Sequence, residues 1–181
     1  NINYPMEMKI KPNTNEVPTT KYESINTFYE NELNSTTILS YRRSVNCIAI
    51  NTLFDEIICG TEDNFLLFSR LDLNKAKVNN AVELKGRPQK IIITDGFGFV
   101  VVLITKIKNG DLIEKLVLFN INGAKIRSKK LDDKIRIVAL EKALSPSSGL
   151  DFLIVADNRN YIYVFEAYYL QFGDPIFKCN S

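Results

Sequence analysis

The stretch Ile57-Ile58-Cys59-Gly60-Thr61-Glu62-Asp63-Asn64-Phe65-Leu66 superimposes without a gap on Leu153-Ile154-Val155-Ala156-Asp157-Asn158-Arg159-Asn160-Tyr161-Ile162. Both give an apolar strand, a small residue, a polar turn that closes on Asn, and a second strand led by an aromatic. Asn and Asp tolerate the left-handed backbone of tight turns, so each stretch predicts an antiparallel hairpin. Outward from these hairpins, residues 45–50, 89–94 and 133–138 begin 44 residues apart and then 44 again, each as the first strand of a unit. The middle unit keeps the same order with a longer hairpin, turning at Lys108-Asn109-Gly110-Asp111.

A period near 44 with about four strands per unit is the pattern of WD-type propeller blades, which run roughly 40–45 residues. One four-stranded sheet cannot bury both faces alone, so blades stack. The fold expected is all-β: a partial WD-repeat-like β-propeller of about three four-stranded antiparallel blades, at residues 40–85, 86–131 and 132–181. Residues 1–39 are polar, with Pro5, Pro12 and Pro18, and read as a lead-in that supplies the outer strand of a preceding blade. Leu131 to Leu144 reads as a strand followed by a loop, because Ile135, Ile137 and Ala139 alternate before Ser145-Pro146 breaks the chain. An evenly spaced sandwich or barrel is the competing fold, but it gives no reason for hairpin chemistry to return at a fixed period.

The residues also resemble a family. Tyr41-Arg42-Arg43-Ser44-Val45-Asn46-Cys47-Ile48-Ala49-Ile50, followed by Gly60-Thr61-Glu62-Asp63-Asn64, is similar to a blade opening in WD-repeat proteins, more closely in those whose propeller follows a BEACH domain. Thr94-Asp95-Gly96-Phe97-Gly98-Phe99-Val100 and Leu118-Phe119-Asn120-Ile121-Asn122-Gly123 resemble a later blade of the same propellers. The chain has no Trp and no His, so the Trp-Asp and Gly-His signatures are missing and their hydrogen-bonded network cannot form. The resemblance implies a cytoplasmic scaffold in vesicle trafficking, with peripheral membrane association through a larger parent protein.

Composition narrows the chemistry. Apolar residues make up 45% and charged residues 24%, the balance of a folding chain. With 23 basic and 21 acidic residues spread along the sequence, no field gathers a polyanion, and nucleic acid is not expected as a partner. No apolar run reaches the roughly 20 residues of a membrane helix, so no transmembrane segment is expected. Cys47, Cys59 and Cys179 form no CxxC pair, so neither a disulfide framework nor a metal site is expected. The sequon Asn34-Ser35-Thr36 would matter only in a secreted protein.

A missing histidine removes the commonest general base, and the adjacent acids Asp55-Glu56, Glu62-Asp63 and Asp132-Asp133 read as turn residues. Gly96-Phe97-Gly98 lacks the Lys-Ser/Thr of a phosphate loop and reads as a corner between strands. No catalytic residue, cofactor or metal is expected, and the function read is a non-catalytic protein–protein interaction scaffold. Among the aromatics near the end, Tyr161, Tyr163 and Phe165 fall on one face as core, while Tyr168, Tyr169 and Phe172 are the candidate partner contacts. The alternative is a small-molecule-binding or hydrolytic β domain, in which the turns at 95–98 and 157–160 line one pocket.

Overall fold

The computed structural model of the protein describes residues 25–26, 44–72 and 75–178. Tyr41, the pair Arg42-Arg43, the sequon, Cys179 and most of the lead-in lie outside the described residues. Among the described residues there are strands and turns and no helix.

Three antiparallel sheets follow one another along the chain. The first joins β2 (Val45–Asn51), β3 (Glu56–Thr61), β4 (Phe65–Asp72) and β5 (Lys75–Glu83), with the two residues of β1 (Ile25–Asn26) paired to the outer edge of β5. The second joins β6 (Arg87–Ile93), β7 (Val100–Lys108), β8 (Asp111–Phe119) and β9 (Lys125–Lys130). The third joins β10 (Ile137–Leu144), β11 (Asp151–Asp157), β12 (Tyr161–Glu166) and β13 (Phe177–Lys178). Each is an up-and-down meander, and the chain is all-β. Ile25 and Asn26 therefore lie on the first sheet itself, whereas the lead-in was expected on a preceding one.

The repetition extends to backbone detail. Each first strand carries a register shift near its start, between Val45 and Cys47, Pro88 and Lys90, and Ile137 and Ala139. Each first hairpin turns through four residues and ends on a left-handed one, Asp55, Gly98 or Gly149. The second hairpins turn through left-handed Asn64, the pair Asn109-Gly110, and Asn160, where the Asn-rich turns were expected.

One strand differs from its sequence reading. The register shifts lie 43 and then 49 residues apart, so the equal 44-residue spacing places the third first strand too early. Residues 131–136 form a connection and Leu140 to Leu144 is strand, the reverse of the expected strand followed by a loop. The turn from Asp132 to Ile135 sets the connection, and the Glu114 carboxylate takes the Ile137 N–H at 2.7 Å where β10 begins. Helix-forming Leu140-Glu141-Lys142-Ala143-Leu144 becomes strand because pairing with residues 151–155 supplies hydrogen bonds that outweigh its propensity.

The sheets stack with the second in the middle. Its β7 buries both faces over Val100 to Ile104, which explains the unbroken apolar run there. Val100, Val102 and Ile104 pack on Ile58, Leu66 and Phe68 of the first sheet. Val101, Leu103, Leu116 and Leu118 pack on Leu153, Val155, Tyr163 and Phe165 of the third. Burying such a side chain contributes about 1.5–3 kcal/mol, so these two apolar interfaces hold the three sheets together. Neighbouring backbones come closest at the first strands, β2 against β6 and β6 against β10. There Asp95 accepts from Asn51 Nδ2 at 3.0 Å and from Lys142 Nζ at 2.6 Å, so one carboxylate ties all three sheets.

Among the described residues, the third sheet has one covered face. Ile154 and Val164 pair across β11 and β12 on the face away from the second sheet and are 37% and 38% exposed. The corresponding pairs Ile58/Phe68 and Val101/Leu118 are almost fully buried by the next sheet. The apolar run at 152–155 therefore alternates in burial, unlike that at 100–104. At the outer edge of the second sheet, β9 reads Lys125-Ile126-Arg127-Ser128-Lys129-Lys130, and such a charged edge disfavours further strand pairing.

Candidate functional site

Where the second and third sheets meet, the β6–β7 hairpin, the β10–β11 hairpin and the end of β12 leave a groove of about 240 Å³. It is lined by Phe97, Phe99, Leu150, Asp151, Glu166 and Tyr168. Its shape starts from Asp151, a carboxylate on the covered face of β11 with 2% exposure. A buried charge needs full hydrogen bonding, and the facing hairpin supplies it. Asp151 Oδ2 accepts from Thr94 Oγ1 at 2.6 Å and from the Phe97 N–H at 2.8 Å, while Oδ1 accepts from the Gly96 N–H at 2.8 Å. Thr94 Oγ1 in turn accepts from the Phe99 N–H at 2.9 Å. Left-handed Gly98 then turns the chain so that both phenylalanines project from one clamped hairpin.

The aromatic side chains form a row across the sheet boundary. Phe97 and Phe99 stack with centroids 5.5 Å apart, and Phe99 and Tyr168 lie 5.8 Å apart at a tilt of 39°. Tyr168 meets Tyr169 edge to face at 5.3 Å. Phe97 is 59% exposed and Tyr169 52%, large apolar surfaces held open to solvent. From β9, Arg127 places its guanidinium 4.4 Å from the Tyr168 centroid and 5.7 Å from that of Tyr169. Its Nε is buried without a hydrogen-bond partner. Glu166, also among the residues lining the groove, forms no ion pair among the described residues.

Of the sequence candidates, the structure brings Tyr168 and Tyr169 together at this groove and takes Phe172 elsewhere. Phe172 is half-buried, with centroids 4.6 Å from Phe165 and 5.3 Å from Tyr163, against the core of the third sheet. Tyr163 and Phe165 are buried and Tyr161 packs at the margin of the same cluster, as their shared face implies. Phe99, Arg127, Asp151 and Glu166 escaped the sequence reading, whereas Phe97 belongs to the 95–98 turn that the alternative reading placed at a pocket. The available signal was Asp151, a charge opening an otherwise apolar strand directly after Gly149-Leu150.

The turns at 95–98 and 157–160 do not line one pocket. They follow the first strand of one sheet and the second strand of the next, and so lie at opposite strand ends of these two sheets. Their carboxylates are both engaged, that of Asp95 by Asn51 and Lys142 from the two flanking sheets and that of Asp157 within its own hairpin. Asp157 takes Arg159 Nη2 at 2.6 Å, the Arg159 and Tyr161 N–H groups at 2.9 and 3.1 Å, and Tyr163 Oη at 3.3 Å. Burial alone would raise its pKa, but these donors and the Arg159 charge together hold it below the usual carboxylate value. Glu56 behaves oppositely: burial pushes it up to about 7, with Asp55 adding and Arg70 opposing, and its Oε2 has no hydrogen-bond partner. Burial also raises the Cys47 thiol to about 11, which keeps it protonated at neutral pH. Neither Cys47 nor Cys59 is in a disulfide.

Among the described residues, no group of three or more His, Cys, Asp or Glu side chains is placed to hold a metal ion, and no helix is long and apolar enough to cross a membrane. No family model and no curated protein matches the chain. The solved structure of KlHsv2 with loop 6CD replaced by a Gly-Ser linker is similar at 15% identity and a TM-score of 0.44, over 77% of this chain and 39% of that one. The chain thus spans about two fifths of the length of that structure.

Proposed function

We propose that this chain is an arc of a degenerate WD-type β-propeller that serves as a non-catalytic protein-binding module, with the groove between the second and third blades as its contact site. The arc reading is supported by three successive meanders with the same bulge and turn positions, closest at their first strands, and by the apolar face left uncovered on the third. The observation that carries the binding reading is the row of Phe97, Phe99, Tyr168 and Tyr169, in which the Asp151 clamp fixes the hairpin bearing Phe97 and both Phe97 and Tyr169 are open to solvent. Exposed aromatics on a rigid support are the side chains that dominate protein interfaces. A cavity of about 240 Å³ is smaller than the roughly 300–1,000 Å³ of small-molecule sites and suits one or two side chains of a partner.

A cytoplasmic role in vesicle trafficking, as part of a BEACH-type scaffold, follows from the resemblance of about residues 41–170 to those propellers and belongs to the same proposal. The binding reading is tested by selecting a random peptide library on the full chain and on the double variant F97A/Y168A. Peptides enriched by the parent and lost by the variant are expected. Equal enrichment by both would overturn the assignment of the groove.

A further inference from the structure

We infer that the outer edge of the second sheet receives an extended acidic segment of a partner protein, laid along β9 as a further strand. The inference goes beyond the groove and holds or fails without it. Residues 87–130, the second sheet with its hairpins, hold nine basic and three acidic side chains, a net charge of +6 in a chain whose net charge is +2. Charge that is nearly balanced over the whole chain is thus one-sided on this sheet. Two of the three acids are taken up within the structure, Asp95 by Asn51 and Lys142, and buried Glu114 by the Ile137 N–H. Five of the nine basic residues, Lys115, Lys125, Arg127, Lys129 and Lys130, lie on β8 and β9. Among the described residues, no strand pairs with the outer edge of β9.

Register puts cations on both faces of that edge. Lys130 pairs with Lys115, Lys129 with Leu116 and Arg127 with Leu118, so Lys115 and Lys130 share the face toward the first sheet, and Arg127 and Lys129 the face toward the third. Lys125 lies beyond the bulge, pairs with Phe119 and returns to the first-sheet face. A strand alongside therefore meets positive charge on either side, which consecutive acids match better than alternating ones. Arg127 is already stacked on Tyr168, and Lys130 bridges to Asp133 at 3.1 Å in an exposed pair of the kind that contributes little. Lys115, Lys125 and Lys129 form no ion pair among the described residues. Burial lowers the Lys115 pKa, and the charges of Lys125 and Lys85 lower it further, as expected where like charges gather. Opposite charges on paired strands attract and like charges repel. The lysines that keep neutral and basic strands from this edge, a second β9 included, thus select an acidic one. The first sheet shows that an outer edge of this architecture takes a further strand, because β1 pairs antiparallel with β5 at Lys75 and Ala76. Along β9, main-chain hydrogen bonds supply affinity and the lysines supply specificity.

The test uses fluorescence polarisation on the full chain with four labelled probes. They are a short peptide of consecutive Glu and Asp, its Gln and Asn counterpart, the acidic peptide N-methylated at alternate backbone positions, and an oligothymidylate of equal charge. The acidic peptide is expected to bind about tenfold more tightly than its amide counterpart at low salt and to weaken as salt rises to about 0.5 M. Charge reversal in K125E/K129E should weaken it about tenfold, and N-methylation, which removes main-chain donors, about fivefold. Lys125 and Lys129 are exposed, and circular dichroism verifies that the double variant folds. Absent binding, equal binding of the acidic and amide peptides, or undiminished binding by K125E/K129E would overturn the acidic assignment. Full binding of the N-methylated peptide would overturn the strand geometry, and equally tight oligothymidylate would replace the acidic segment with any polyanion. None of these results bears on the groove, which the library selection decides separately.

Discussion

Replacing Asp151 by alanine removes one carboxylate and, with it, the clamp between the second and third sheets. Three hydrogen bonds of 2.6–2.8 Å end on that side chain, two from backbone N–H groups and one from a threonine that is itself fully buried. A hydrogen bond to a charged group contributes about 1.5–3 kcal/mol, and a donor left buried and unsatisfied costs about 1–3 kcal/mol. Gly96 and Phe97 lie in an exposed hairpin and regain water once it loosens, so their loss is near the lower bound. Thr94 cannot, and its hydroxyl also orients the Phe99 N–H. The expected destabilisation of D151A is therefore about 3 kcal/mol. D151N keeps one acceptor for the Gly96 N–H but turns an amide N–H toward that of Phe97, and should lose about 2 kcal/mol. Urea unfolding followed by circular dichroism reads both values. Hydrogen exchange should show faster exchange at residues 96–99 in D151A, with the hairpin at 158–160 unchanged. A loss below about 0.5 kcal/mol, or equal acceleration at both hairpins, would refute the clamp.

Four further outcomes follow from particular residues. A Cβ at Gly60 would lie 2.6 Å from Cys47 Sγ and 2.8 Å from the Pro88 side chain, so G60V should destabilise by about 2 kcal/mol or more in urea titration, and a neutral result would contradict the close approach of β3 and β6. Glu56 holds its proton more tightly folded than unfolded, with its pKa raised from 4.5 to about 7, so its contribution is intact below about 4.5 and is lost as pH rises toward 7. Allowing for solvent near the group, that loss is about 1–2 kcal/mol, and the difference in stability between the parent and E56Q should change across this window; a flat difference refutes it. Asp157 has a lowered pKa, so its contribution is present above the usual carboxylate value and lost as pH falls through the folded one; D157N should blunt acid unfolding. The uncovered face carrying Ile154 and Val164 should drive concentration-dependent association in sedimentation, and V164K should suppress it.

The amino-acid sequence determined the all-β class, the hairpin positions and the division into repeating units. Those depend on local chemistry: Asn and Gly where φ must be positive, and β-branched or aromatic runs between them. Tyr163 and Phe165 were legible as core for the same reason, since strand periodicity fixes which face a residue shares. The start of β10 was not, because alternation at residues 133–138 looks the same in a connection as in a strand until Glu114 and Asn158, distant in sequence, bind its backbone. Only the tertiary structure decided the groove. Asp151 meets its partners more than fifty residues away, Arg127 meets Tyr168 across a sheet boundary, and Phe172 is half-buried against the core beside Phe165, away from the groove. Periodicity gives each side chain a face, but which sheet that face meets is set by how the sheets stack, and local sequence carries no record of that.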